Sequence, residues 1–335
     1  MHVLITGGAG FIGSHLVEHL LARGDRVLVL DDLSTGSIDN VAHCIGRPGF
    51  DYRIGSALDV PLVTELVDRC DVTVHLAAAV GVRLIVERPV HTIETNVRAT
   101  EVVLGAAAKK QKPVVVASTS EVYGKATTIP FREDHDLQLG PTSHSRWAYA
   151  CSKALDEWLA LAYWRERHVP VTIVRFFNTV GPRQTGRYGM VLPGFAAQAL
   201  RGEPITVYGS GQQSRCFGHV RDAVEGLVRL MDSPSAVGEV FNIGSDEEVT
   251  IERLAELVRD EAGSRSEIVR IPYAEAYAAG FEDMMRRVPD VTKLERVTGF
   301  RPRTPLSRIV ADVVADQRAR LGATGASRAP ATQAG

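Results

Sequence analysis

Cysteine is scarce. Cys44, Cys70, Cys151 and Cys216 are the only four in 335 residues, and none stands in a CxxC or metal-ligand spacing. That excludes a disulfide framework and a zinc site, and no metal is expected; free thiols in a reducing cytoplasm fit the pattern. Net charge is also missing. At −2, the chain has no bulk attraction for nucleic acid or for an anionic membrane. No apolar run reaches the length of a membrane span, and the strand-like run starting at His2 is not a signal peptide. There is no repeat and no long block of charge. What remains is ordinary globular composition, 45% hydrophobic and 23% charged, in a chain long enough for a large core and two lobes.

The N-terminal segment carries the first motif. The apolar run Val3-Leu4-Ile5 ends in Thr6-Gly7-Gly8-Ala9-Gly10-Phe11-Ile12-Gly13-Ser14. An amphipathic segment follows from His15 to Arg23, closed by Gly24, and a second apolar run, Arg26 to Leu30, ends in Asp31-Asp32. This reads as strand, glycine-rich turn, helix, strand. Small residues at 7, 10 and 13 let the backbone approach a pyrophosphate, which sits at the helix N-terminus where free N–H groups favour anions. A bare glycine pattern could be only a tight turn; here the strand before it, the helix after it and the following acid supply the context of a dinucleotide site. Asp31 is placed to accept hydrogen bonds from the adenosine ribose hydroxyls. Its charge would repel a 2′-phosphate, so NAD is favoured over NADP.

Alternation continues. Val72 to Ala78 reads as a strand running into a small-residue loop, and Val90 to Lys110 as a long helix. Pro113 to Ala117 reads as a buried strand ending in Ser118-Thr119-Ser120-Glu121, Trp147 to Arg167 as a helix, and Val171 to Phe177 as a strand. Strands alternating with helices imply an α/β fold with a doubly wound parallel sheet, whose ligands bind at the carboxyl ends of strands. After Asn178 the texture changes to a loop-rich stretch. It is followed by a helix from Phe195 to Arg201, a strand from Ile205 to Tyr208, a helix from His219 to Met231, a strand from Val240 to Gly244 and a helix capped by Thr250 through Asp260. The expected division is a nucleotide domain over 1–179, completed by about 216–242, and a smaller α/β substrate lobe over 180–215 and 243–318. Residues 322–335, mostly Ala, Gly, Thr and Ser, read as a disordered tail.

The helix from Trp147 carries Tyr149-Ala150-Cys151-Ser152-Lys153. Tyr and Lys four apart share a helix face, and an ammonium beside a phenol favours the phenolate. Of the eight tyrosines, only Tyr149 has a lysine four residues on. By itself the spacing is equally that of a solvated helix face.

Taken together, these residues resemble the extended short-chain dehydrogenase/reductase family that acts on nucleotide sugars. The resemblance is carried by the glycine turn, His75-Leu76-Ala77-Ala78, Asn96, Ser118 to Gly124, Tyr149 with Lys153, Arg175 to Asn178, Val207-Tyr208-Gly209 and Arg287-Val288-Pro289-Asp290. It implies a Rossmann sheet, tightly held and recycled NAD, a UDP-sugar substrate and a homodimer through a helix bundle, with Val90–Lys110 and Trp147–Arg167 as interface candidates. Cofactor contacts implied are Gly7, Gly10, Phe11, Ile12, Gly13, Asp31, Asp32, Ser34, Thr35, Gly36, Ser56, Leu76, Ala77, Ala78, Asn96, Ser118, Tyr149, Lys153 and Phe176. Many members carry an acid where this chain has Ser56, so the adenine contact there is weaker or made by backbone. Substrate contacts implied are Arg146, Asn178, Val191, Leu192, Tyr208, Arg215 and Arg287. The Arg183–Arg187 loop reads equally as a lid or as a solvated loop, and His75 as a packed strand-end residue.

The resemblance also implies a shared first step. Tyr149 takes the sugar C4 hydroxyl proton while hydride passes from C4 to NAD; Lys153 lowers the Tyr pKa, and Thr119 or Ser120 supplies a hydroxyl partner. The 4-keto sugar then has three fates. Dehydration needs an acid–base pair, and Ser120-Glu121 stands where the dehydratases carry Asp-Glu; a serine is a poor proton donor. Epimerisation at C4 leaves Glu121 without a task. Decarboxylation of UDP-glucuronate to UDP-xylose fits best, because Ser120-Glu121, Arg146 and Arg287 match that subfamily. A non-catalytic NAD-binding regulator is the reading from another class; such proteins often lose the Tyr or the Lys, and this chain keeps both.

Overall fold

The computed structural model describes residues 1–81, 87–144, 146–186, 190–272, 275 and 284–326. The glycine-rich segment is strand β1 (His2–Thr6), helix α1 (Phe11–Arg23) and strand β2 (Arg26–Asp31). Leu16, Val17, Leu20 and Leu21 bury one face of α1. Gly24, at φ 91°, ends it by donating to the carbonyls of Leu20 and Leu21. Then come β3 (Phe50–Ile54), α2 (Val60–Arg69), β4 (Val72–His75), α3 (Pro89–Ala108), β5 (Val114–Thr119), α4 (Arg146–Arg167) and β6 (Val171–Phe176).

The second half contributes β7 (Thr179–Val180), α5 (Val191–Arg201), β8 (Ile205–Tyr208), β9 (Ser214–Cys216), β10 (Gly218–His219), α6 (Val220–Met231), β11 (Glu239–Ile243), β12 (Glu248–Thr250), α7 (Ile251–Ala262), β13 (Ile268–Ile271), α8 (Thr292–Thr298) and α9 (Leu306–Ala326). Seven parallel strands form one sheet in the order β11-β6-β5-β4-β1-β2-β3. Val3, Leu4, Ile5 and Val116 are fully buried, as strands covered by helices on both faces require. The strand order reverses between β1 and β4, which opens a crevice at their carboxyl ends. The expected α/β doubly wound parallel sheet is what the chain forms.

One core lies between the sheet, α1 and α6; another lies between the opposite face, α2, α3 and α4. A separate cluster is built from α5, α7 and α9, with Leu192, Phe195, Leu254, Val258, Ile309 and Val313 at its centre. Thr250 caps α7 by accepting from the Arg253 N–H, as expected.

Two readings need correction. Helix α5 starts at Val191, one turn before the expected Phe195. Pro193 falls in the first turn, where a missing N–H costs no helix bond, so it does not break the helix. Helix α9 was not anticipated as an element, and it runs through Ala326 across residues 322–326 of the expected tail. Its buried Ile309, Val310, Val313 and Val314 anchor it, and alanine prolongs it cheaply. Residues 327–335 lie outside the described residues.

Candidate active site

The turn after β1 is packed so closely that its glycines leave little room for side chains. A Cβ on Gly13 would stand 2.2 Å from the Gly7 carbonyl oxygen, and one on Gly7 would stand 2.8 Å from the Ala77 nitrogen. Gly7 also has φ 74°, which side chains resist. Gly10 caps α1 with no side-chain hydrogen bond, so the first-turn N–H groups of Phe11, Ile12 and Gly13 have no acceptor within the helix. This cradle would hold a pyrophosphate, and the residues fit NAD on that ground.

Asp31 sits beside it, buried. Its carboxylate accepts from the backbone N–H of Ala9 and of Leu33, each at 2.9 Å, and so ties the glycine turn to the end of β2. Burial raises its pKa, against those hydrogen bonds. Asp32 is exposed and accepts from the Ser34 N–H. Gly36 lies against the backbone of Ala9, so the 33–36 loop runs along the cradle. Ser56 turns inward on its own loop, accepting from the Leu58 N–H. Leu76 and Ala77 close the far side, bonded to the Thr6 carbonyl and hydroxyl. Phe176, at the end of β6, is half-buried against the same core.

Asn96 supports the site from below. Its side chain accepts from the Ala79 N–H at 2.7 Å and donates to the Ser152 hydroxyl, which donates in turn to the Tyr149 carbonyl. The loop after β4 is thereby fastened to the helix that carries Tyr149. His75 is packed, as expected: its ring meets the Thr6 and Thr100 hydroxyls, and burial with the Lys153 charge pushes its pKa down to about 3.

At the end of β5 the chain turns through a short 3-10 helix, Ser120–Tyr123. Thr119 caps it by accepting from the Glu121 N–H, and its hydroxyl also hydrogen-bonds Tyr149. The structure therefore separates the two expected hydroxyl partners. Thr119 serves the phenol, while Ser120 faces Arg287, whose Nη1 lies 3.5 Å from its oxygen. The same nitrogen is 3.4 Å from Glu121 Oε1. Arg287 is buried and is positioned by its neighbours: the Val288 carbonyl accepts from Phe131, and Asp290 donates back to Phe131, both at 2.8 Å.

Tyr149 is buried, and its pKa stands well above the ordinary phenol value, first from burial and then from the Glu121 charge, with the Thr119 hydrogen bond opposing. The lowering expected from Lys153 is not seen. Lys153 donates instead to Asp156 Oδ2 at 2.6 Å, on the same helix three residues on, with both groups buried. A buried ammonium takes the nearest carboxylate, because an unpaired charge is far costlier. Next to this pair, Arg175 makes a two-pronged bridge to Glu157 at 2.9 and 2.7 Å, and the Ser118 hydroxyl donates to the same carboxylate at 2.5 Å. Sequence reasoning missed Asp156 and Glu157. Their signal was present as two adjacent acids one turn after Lys153.

The remaining expected substrate residues follow β6 in the second half of the chain. Asn178 has φ 32° and donates to the Cys216 carbonyl. Arg215 is buried and donates to the Ser214 carbonyl at 2.7 Å. Tyr208 ends β8 and is exposed. Val191 is exposed at the first turn of α5, while the Leu192 side chain is fully buried in the cluster of α5, α7 and α9, which leaves its backbone N–H for a ligand. The two differ because adjacent residues on a helix point to different faces. The side chain of Arg146 and residue Arg187 lie outside the described residues. Arg183 is clamped to Glu18 at 3.0 and 2.6 Å and to the Asn40 carbonyl, fixing the 181–186 loop on α1.

Known proteins share this arrangement. A UDP-N-acetyl-alpha-D-glucosaminuronate decarboxylase of Bacillus cytotoxicus is 46% identical over 89% of this chain and 92% of its own length. UDP-glucuronic acid decarboxylase 4 of Arabidopsis thaliana is 39% identical over 96% of this chain and 69% of its own. Among solved structures, a dTDP-glucose 4,6-dehydratase from Streptomyces venezuelae with NAD bound matches at a TM-score of 0.87 and 30% identity, covering 96% of this chain and 98% of that one. The NAD dependent epimerase/dehydratase family model matches residues 3–244, nearly three quarters of the chain. The glycine cradle, the buried tyrosine and the parallel sheet thus have one origin: the chain belongs to the NAD dependent epimerase/dehydratase family.

Proposed function

We propose that the protein decarboxylates a UDP-hexuronate through a 4-keto intermediate, giving a UDP-pentose. The carrying observation is Arg287, a buried cation beside Ser120 and Glu121, the acid whose charge acts on Tyr149. A guanidinium there suits a C6 carboxylate, which it can meet with planar, charge-assisted hydrogen bonds that a neutral hydroxymethyl group does not match. Tyr149 takes the C4 hydroxyl proton, and Thr119 hydrogen-bonds the phenol oxygen that receives it. When bound, NAD supplies the reversible oxidation at C4. The ketone turns the C6 carboxylate into a β-keto acid; the C5–C6 bond breaks, CO2 leaves, and its electron pair spreads onto the C4 oxygen as an enolate. Protonation at C5 and reduction at C4 complete the product. In this reading Glu121 and Ser120 attend the reacting carboxylate, and Arg215 and Asn178 are assigned to the diphosphate.

Two substrates share this chemistry and differ at C2. UDP-glucuronate is the one the sequence favours; the 46% identical relative is named for the 2-acetamido sugar, which favours UDP-N-acetylglucosaminuronate. Incubation with each, following CO2 and the UDP-pentose, is expected to give both products with the preferred sugar at least about tenfold better in kcat/KM. UDP-galacturonate without CO2 would make the protein a 4-epimerase instead, and turnover of UDP-glucose alone would remove the uronate altogether.

The assembly proposed is a homodimer through α3 and α4. Cys151, Leu155 and Trp158 form an exposed stripe on α4, with Leu155 44% and Trp158 61% accessible, and Val90 and Ile93 are exposed on α3. Trp158→Glu is expected to halve the mass measured by light scattering; an unchanged dimer would place the interface elsewhere.

A further inference from the structure

We propose that Asp156 is a positioning residue that holds the Lys153 ammonium and sets the pH at which Tyr149 works as a base. Its carboxylate is wholly buried one helical turn from Lys153 and bonds it at 2.6 Å. Stability is a weak reason for such a pair, since burying two charges returns little beyond what an apolar pair would. Its location gives a better one. Lys153 lies on the helix face that carries Tyr149, and a negative charge beside the lysine offsets the positive field it would impose on the phenol. The Asp156 charge itself disfavours the phenolate.

The groups around the pair leave this assignment intact. Glu157, next in sequence, is occupied by Arg175 and Ser118. From α3, Thr100 and Asn96 contribute neutral groups. From β4, His75 is uncharged at working pH. From the turn after β5, Glu121 also disfavours the phenolate, but it is shared with Arg287.

The inference rests on Tyr149 being the base. The test is the pH profile of kcat with the UDP-uronate the enzyme turns over. Asp156→Asn is expected to move the acid limb down by about one pH unit, the scale of one charge at this separation in a partly shielded site. Asp156→Glu, which keeps the charge, should restore the wild-type limb. Should the Asn variant not fold, Asp156→Val carries the same expectation. A folded, charge-free variant whose limb does not move would overturn the proposal, even if its kcat is lower. Tyr149→Phe run alongside separates the failures: a fully active Phe variant defeats the base assignment, whereas an inactive one with an unmoved Asn profile defeats only the role of Asp156.

Discussion

Tyr149→Phe is expected to lower kcat by about a thousandfold while leaving NAD binding within a few-fold of wild type. Positioned proton transfer contributes about 10²- to 10⁴-fold, and the substitution removes the oxygen proposed to receive the proton. The ring volume is unchanged, so the buried pocket keeps its packing, and Thr119 still caps its turn through the Glu121 N–H. The environment makes the result informative. Burial and Glu121 hold the phenol protonated in this state. Activity should therefore fall as the pH drops along the acid limb, and the Phe variant should lose that limb as well as the rate. Turnover by product release and NAD affinity by calorimetry check both halves. A variant within tenfold of wild type would mean that another group takes the C4 proton.

Much of this site was legible because backbone geometry leaves a residue-level trace. Gly7 and Gly13 are required where any Cβ would strike backbone, and Gly10 where one would be crowded, so their spacing reads directly as a cradle. The buried strands are legible for the same kind of reason: covering on both faces demands unbroken apolar runs such as Val3-Leu4-Ile5. Side-chain pairing leaves a weaker trace. Lys153 has Tyr149 four residues before it and Asp156 three after it, and both spacings put groups on one face. Only depth decides between them, and depth depends on how α4 packs against α3 and β5. The burial of the Leu192 side chain was hidden for a similar reason, because the sequence does not say which side of a helix turns inward. Thr119 and Ser120 were indistinguishable as neighbouring hydroxyls until the 3-10 turn sent them in different directions.

Arg287→Ala should cost several-hundred-fold in kcat/KM for the UDP-uronate, and most of the loss should appear in KM. The geometry supports both size and direction. Arg175 holds Glu157 at 2.7 Å, the distance of a strong charge-assisted bond, whereas Arg287 stands 3.4 Å from Glu121 and 3.5 Å from Ser120. Arg175 is a structural tie. Arg287 meets Glu121 and Ser120 at a longer reach, which suits a cation that also binds a substrate carboxylate. Truncating one partner of a buried charge pair typically costs about 2–5 kcal/mol, and the middle of that range corresponds to several hundredfold. Arg287→Lys keeps the charge but loses the planar fork, so an intermediate loss of about tenfold is expected. NAD affinity should stay unchanged in both variants, because the cofactor cradle lies across the crevice at β1. Guanidinium added to the Ala variant should recover part of the rate. Kinetics with the uronate beside the neutral UDP-hexose make the check: a loss shared equally by both sugars would assign Arg287 to the diphosphate, and an Ala variant within threefold of wild type would remove it from substrate binding.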